Sequence, residues 1–298
     1  MSKRAFVFPG QGSQAVGMGR ELAEAYASAR EVWERADRAL GFPLTKLCRE
    51  GPEEELKLTE NTQPAILTCS AAALAVAREK GVQADYVAGH SLGEYSALVA
   101  AGALGFEDAV RLVRRRGQYM QEATPAGVGA MAALLGLPRG ELERLCREAA
   151  DGEVVAPANL NSPDQVVIAG HRGAVERAAA LARQAGAKKA VMLQVSAPFH
   201  CALMEPAQRR LQADLAAVEF RDLEIPLINN VAAREVRTGG EARQGLIDQV
   251  PNAVRWEETV RYLIGQGVTE FVEVGPGRVL TGLLRSIDRS ARGSVFEA

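Results

Sequence analysis

Gly89-His90-Ser91-Leu92-Gly93 sets a serine between two glycines in the pattern G-x-S-x-G. That pattern describes a nucleophile elbow, a tight strand-to-helix turn that lifts a serine oxygen clear of the backbone. The flanks fit: an apolar run, Tyr86 to Ala88, precedes the motif, and a helical stretch, Leu92 to Ala101, follows it. A helix starting there aims free N–H groups at the serine, where they can stabilise an oxyanion. The plainer reading is a glycine-rich βα turn in which Ser91 only caps a helix.

A serine nucleophile needs a base. The chain has three histidines. His90 adjoins Ser91 and is expected to point away from it. His171 reads as the start of a helix at Gly173. His200 follows Ser196-Ala197-Pro198-Phe199, in a loop after a predicted strand, where α/β folds place their chemistry. Elimination favours His200 as the base, with a structural hydrogen-bonder as the alternative.

Two further features bear on the site. Pro9-Gly10-Gln11-Gly12-Ser13-Gln14-Ala15 matches the G-x-G-x-x-A dinucleotide fingerprint. The second strand ending in an acid is missing, since Arg20 to Ala39 stays helical, so a dinucleotide site is disfavoured. A glycine-rich loop can also offer backbone N–H groups to an oxyanion. In the predicted helix Phe106 to Ala123, Ala109, Leu112, Val113, Met120 and Ala123 share a stripe with Arg116 in its middle, while Arg114 and Arg115 fall on the solvated side. An arginine in that position needs an anionic or carbonyl partner, either from the protein or from a substrate carboxylate.

The elements around these residues alternate short apolar runs with helical stretches, which predicts an α/β fold. Strands are expected at Ala5 to Phe8, Tyr86 to Ala88, Pro226 to Val231 and Glu270 to Val274. The middle of the chain reads as strand Met131 to Gly136, helix Pro138 to Ala150 and strands Val154 to Leu160 and Gln165 to Gly170. Helix Gly173 to Gln184 and strand Lys189 to Ser196 follow. The order β-α-β-β-α-β is that of a ferredoxin-like unit. It predicts a small domain at 127–197 inserted into a larger α/β domain at 1–126 and 198–298. The tail after Asp288 reads as loosely ordered.

Composition narrows the class. Among 298 residues, 47% are hydrophobic and 24% charged, the balance of a globular chain. Net charge is −2, so no global attraction to nucleic acid or membrane is expected. No uncharged apolar run approaches the ~20 residues of a membrane span, and the N-terminal apolar run is too short for a signal peptide. Four scattered cysteines, Cys48, Cys69, Cys146 and Cys201, form no C-x-x-C pair or recognisable zinc site and read as reduced thiols of a cytoplasmic protein.

Taken together, the motifs resemble the malonyl-CoA:acyl carrier protein transacylase family over nearly the whole chain. The matching segments are Phe-Pro-Gly-Gln-Gly-Ser-Gln at 8–14, Asn-Thr-Gln-Pro-Ala at 61–65, Gly-His-Ser-Leu-Gly-Glu at 89–94 and Arg-Gly at 116–117. Gln-Glu-Ala at 121–123, Asn-Ser-Pro at 161–163, His-Cys-Ala-Leu-Met at 200–204, Gln249 and Glu-Val-Gly-Pro-Gly at 273–277 complete them. The resemblance implies a hydrolase-like parallel-sheet α/β domain with a ferredoxin-like insert. It implies Ser91 as acylated nucleophile, His200 as base, the backbone N–H groups of Gln11 and Leu92 as oxyanion hole, Arg116 as partner of the malonyl carboxylate and Gln249 beside the histidine. The implied substrates are malonyl-CoA and an acyl carrier protein, in fatty acid biosynthesis, with no cofactor or metal. Such carrier proteins are usually acidic, and Lys188 and Lys189 are the expected docking patch. The alternative on the same elbow is a serine hydrolase or thioesterase.

Overall fold

The computed structural model describes residues 2–138, 140–195 and 197–297. In chain order its strands are β1 (Lys3–Phe8), β2 (Tyr86–Gly89), β3 (Gly129–Leu135), β4 (Val155–Ser162), β5 (Gln165–His171), β6 (Lys189–Met192), β7 (Leu227–Ile228), β8 (Glu235–Val236), β9 (Val268–Glu273) and β10 (Arg292–Val295). Six of them form a sheet in the order β10-β9-β1-β2-β7-β8. All its pairings are parallel except β7 with β8. β1 and β2 lie at its centre, covered by helices on both faces, and their residues are almost all apolar and buried.

The other four strands form an antiparallel sheet in the order β4-β5-β3-β6. Two helices, Glu141–Ala150 and Arg172–Gln184, pack on it through alanines, Leu145 and Val175. The expected β-α-β-β-α-β order is present. Of the predicted segments here, Arg139 and Ser196 lie outside the described residues, and β6 ends at Met192.

Two expectations are corrected. The tail after Asp288 is not loosely ordered: Arg292–Val295 pairs in parallel with β9. Its side chains stay largely exposed, so the sequence carries no burial pattern there, and the order comes from backbone hydrogen bonds. Most of Arg20 to Ala39 is helical, as expected, in two helices, Arg20–Ala25 and Ala27–Leu40, with Tyr26 extended between them. Pro226 to Val231 contains only the two-residue β7, since the chain turns at once into Asn229 and Asn230.

The longest helix, Thr59–Glu79, is buried along most of its length and packs on helix Phe106–Glu122. A side chain at Gly117 would bring a Cβ to 2.6 Å from Glu60 Cα and 2.7 Å from the Thr59 carbonyl. Only glycine permits that approach, and it sets Gln63 on one helix against Arg116 on the other.

Candidate active site

The site gathers where β1, β2 and β7 end, the edge at which parallel α/β sheets place their ligands. β1 runs into Pro9-Gly10-Gln11, β2 into His90-Ser91 and β7 into Asn229-Asn230. Ser91 has φ 51°, a left-handed conformation that costs a serine free energy and is retained where the surroundings enforce it. Asn230 does so: its Oδ1 accepts from Ser91 N at 2.7 Å while its Nδ2 donates to the Gly89 carbonyl at 2.7 Å. The elbow glycines are spatially required as well. A Cβ on Gly89 would overlap the Gly93 carbonyl at 1.9 Å, and one on Gly93 would meet the Phe8 carbonyl at 2.1 Å.

His200 also takes a left-handed conformation, φ 61°. Its Nε2 lies 2.7 Å from Ser91 Oγ. Its Nδ1 faces the carbonyls of Gln249 at 3.0 Å and Asn252 at 3.2 Å. Carbonyls only accept, so Nδ1 carries the hydrogen and the Nε2 lone pair receives the serine hydroxyl. The support of the imidazole is thus two main-chain carbonyls. Burial, aided by the Arg116 charge and opposed by those carbonyls, holds the His200 pKa down to about 3. The ring is therefore neutral and ready to accept a proton at neutral pH.

Arg116 is 2% exposed and sits beside this pair. Its Nη1 donates to Gln63 Oε1 at 2.7 Å, and its Nη2 to Gln249 Oε1 at 2.9 Å and Ser91 Oγ at 3.1 Å. Its Nε has no partner. The guanidinium lies 5.7 Å from the Tyr95 ring centre. These partners are neutral, so the cation is hydrogen-bonded without a carboxylate in contact. Of its neighbours, Arg115 is exposed and pairs with Asp214, as a solvated residue should. Arg114 is half-buried, stacked 4.0 Å above the Phe42 ring centre and bonded to Asn61.

Leu92 follows Ser91, and Gln11 stands in the loop after β1. Gly10 packs directly on the His90 carbonyl, which brings the β1 loop against the elbow. The Gln11 side chain accepts from Thr59 Oγ1 at 2.9 Å. Leu92 caps the helix Gly93–Ala100. Among the described residues no protein group accepts a hydrogen bond from the Gln11 or Leu92 backbone N–H, so both remain available as donors. The other histidines lie elsewhere. His90 turns away and bonds Asn161 Oδ1 at 2.8 Å, and His171 is the N-cap residue of helix Arg172–Gln184.

A serine hydroxyl, a neutral imidazole, two free backbone donors and a buried cation are thus gathered at one place, the groups that acyl transfer calls for. The family model for the acyl transferase domain matches residues 5–294. The chain belongs to that acyltransferase family. An Escherichia coli (strain K12) protein named malonyl CoA-acyl carrier protein transacylase is 51% identical over 288 residues, covering 96% of this chain and 93% of its own. The crystal structure of an acyl carrier protein S-malonyltransferase from Vibrio cholerae superposes with a TM-score of 0.97 at 49% identity, covering 99% and 96%. A malonyl-transacylase solved in complex with its type II PKS acyl-carrier protein gives 0.96 at 48% identity, covering 99% and 96%.

Three residues of this acyltransferase site escaped sequence reasoning as individuals. Gln63 and Glu94 lie inside recognised motifs, and those motifs were the available signal. Glu94 Oε2 accepts from Asn230 N at 2.9 Å and Gln249 Nε2 at 3.0 Å. Asn230 gave a weaker sign, a polar pair directly after an apolar run. Gln249 Nε2 also donates to the Ser91 carbonyl at 3.0 Å, so its amide joins Ser91, Glu94 and Arg116.

Proposed function

We propose that this acyltransferase moves a malonyl group from malonyl-CoA to the phosphopantetheine thiol of acyl carrier protein, through a malonyl-serine at Ser91, in fatty acid biosynthesis. The observation that carries the reading is Arg116: a buried cation with only neutral contacts, 3.1 Å from the oxygen that would be acylated. A hydrolase of uncharged esters has no use for it.

His200 Nε2 takes the Ser91 proton as Oγ attacks the thioester carbonyl. The oxyanion of the tetrahedral intermediate falls to the Gln11 and Leu92 N–H groups. Collapse breaks the C–S bond, and the departing sulfur takes the proton from Nε2. The carrier thiol then gives its proton to Nε2 and attacks the malonyl-serine, and the same steps run in reverse order. Arg116 holds the malonyl carboxylate through two N–H donors, while Gln249 supports both the arginine and, through its carbonyl, the histidine. One thioester is exchanged for another, so the step asks for no cofactor and no external energy source.

The finer architecture is part of the same proposal. The large sheet is read as a hydrolase-like domain over 1–126 and 198–298, and 127–197 as a ferredoxin-like insert. Support comes from the β-α-β-β-α-β order and from the placement of the first and third strands of the unit at the centre of the small sheet. Four free, buried cysteines favour a cytoplasmic site of action. Among the described residues no helix is long and apolar enough to cross a membrane.

Intact mass after mixing with malonyl-CoA tests the reading. A persistent malonyl adduct that a carrier protein discharges supports the transferase. Free malonate without carrier protein marks a hydrolase, and an unchanged mass marks a binding module.

A further inference from the structure

Glu94 is a charge that the mechanism above does not use. It lies in the first turn of the helix leaving the elbow and is 1% exposed. Its Oε2 accepts two hydrogen bonds, but Oε1 has no partner. Glu94 and Arg116 grip opposite ends of one amide, Gln249 Nε2 bonding the carboxylate and Gln249 Oε1 the guanidinium. Burial pushes the Glu94 carboxyl up to about 7, against the pull of the Asn230 and Gln249 hydrogen bonds and the Arg116 charge. Besides Arg116, the titratable group beside it is Tyr95, whose hydroxyl burial pushes up and keeps neutral.

The unpartnered oxygen lies beside Gly245. A Cβ on Gly245 would stand 3.6 Å from Glu94 Oε1 and 3.5 Å from Asn229 Nδ2. Gly245 lines a hollow of ≈ 320 Å³, walled also by Asn229, Arg234, Glu241, Gln244 and Asp248. The charged groups on that side are therefore Arg234, Glu241 and Asp248.

We propose that Glu94 is a specificity-determining residue: the malonyl carboxylate enters the Arg116 site together with a proton that settles on Glu94 Oε1. The inference rests on the reading that Arg116 receives that carboxylate. Two carboxylates in one buried site with a single guanidinium cannot both remain ionised at little cost, and the weaker acid takes the proton. Glu94 is the weaker acid, and Oε1 is the oxygen free to carry it. Where Glu94 is ionised, one proton from solvent is taken up for each malonyl group bound, and none for an acetyl group. Ionised Glu94 thus competes with the substrate for Arg116, and malonyl selectivity weakens as pH rises.

The test is the ratio of kcat/KM for malonyl-CoA to that for acetyl-CoA, from about pH 6 to about pH 9. Because both donors are measured on one preparation, the folded fraction and the shared effect of His200 cancel. The wild-type ratio should fall with rising pH, by up to about tenfold per unit above the Glu94 ionisation. Glu94→Gln keeps an oxygen for Asn230 and Gln249 but has no charge to neutralise, so its ratio should stay high and level. A level wild-type ratio, or a Glu94→Gln ratio that keeps the wild-type slope, overturns the proposal. Failure of the underlying reading looks different: Arg116→Ala would then leave the ratio unchanged at every pH.

Discussion

Ser91 Oγ and His200 Nε2 stand 2.7 Å apart, and both residues hold left-handed backbone conformations, φ 51° and 61°. Two strained residues aimed at one another mark a pair that the surroundings hold in place. The Asn230 amide fixes the serine, and the Gln249 and Asn252 carbonyls fix the histidine.

Malonyl-CoA should therefore leave its acyl group on the peptide that contains Ser91. Ser91→Ala should carry no label and should lose several orders of magnitude in transfer rate. Peptide mass mapping decides the matter. A label on Cys201 with Ser91→Ala still active would defeat the assignment, although burial pushes that thiol up to about 11 and argues against it.

Arg116 should separate donors by charge. Losing one partner of a buried charge pair costs about 2–5 kcal/mol, roughly 30-fold to several thousand-fold in rate. Arg116→Ala should lower kcat/KM for malonyl-CoA by that much and spare acetyl-CoA. Arg116→Lys should restore malonyl transfer only in part, because an ammonium does not reproduce the two parallel donors. An equal fall for both donors would make Arg116 a structural residue.

His200 ties stability to pH. Its folded pKa lies near 3 and its unfolded value near 6.5. The unfolded chain thus binds a proton that the folded chain refuses. The contribution is fully present above the unfolded pKa and is lost as pH falls from about 6.5 toward 3, by up to about 1.4 kcal/mol per pH unit. Urea titrations of wild type and His200→Gln across that window should show a shallower acid loss in the variant. Identical slopes would mean that His200 keeps an ordinary pKa in the fold.

Carrier docking should use the exposed Lys188 and Lys189 at the edge of the small sheet. Lys188 lines a cleft of ≈ 540 Å³ shared with Arg278 and Val279. Reversing both lysines to glutamate should weaken transfer to an acidic carrier protein and flatten its salt dependence, while acylation by malonyl-CoA is spared. Equal losses in both half-reactions would assign the lysines to folding or to CoA.

The sequence alone determined the parts whose information is local. Short continuous apolar runs and stripes of period 3.6 mark buried strands and helices locally, so β1, β2 and the β-α-β-β-α-β unit were readable. The elbow and Arg116 were readable because a glycine pattern and a cation on an apolar stripe are anomalies visible within a few residues. The edge strand β10 and the break at Tyr26 were not, because backbone pairing and a single extended residue leave no periodic mark. Only the tertiary structure decided what surrounds Arg116. Gln63, Ser91 and Gln249 reach it from three separate elements, and Glu94 stands behind Gln249. Contacts of that kind depend on how helices cross above the sheet, down to the missing side chain at Gly117, and spacing along the chain does not encode them.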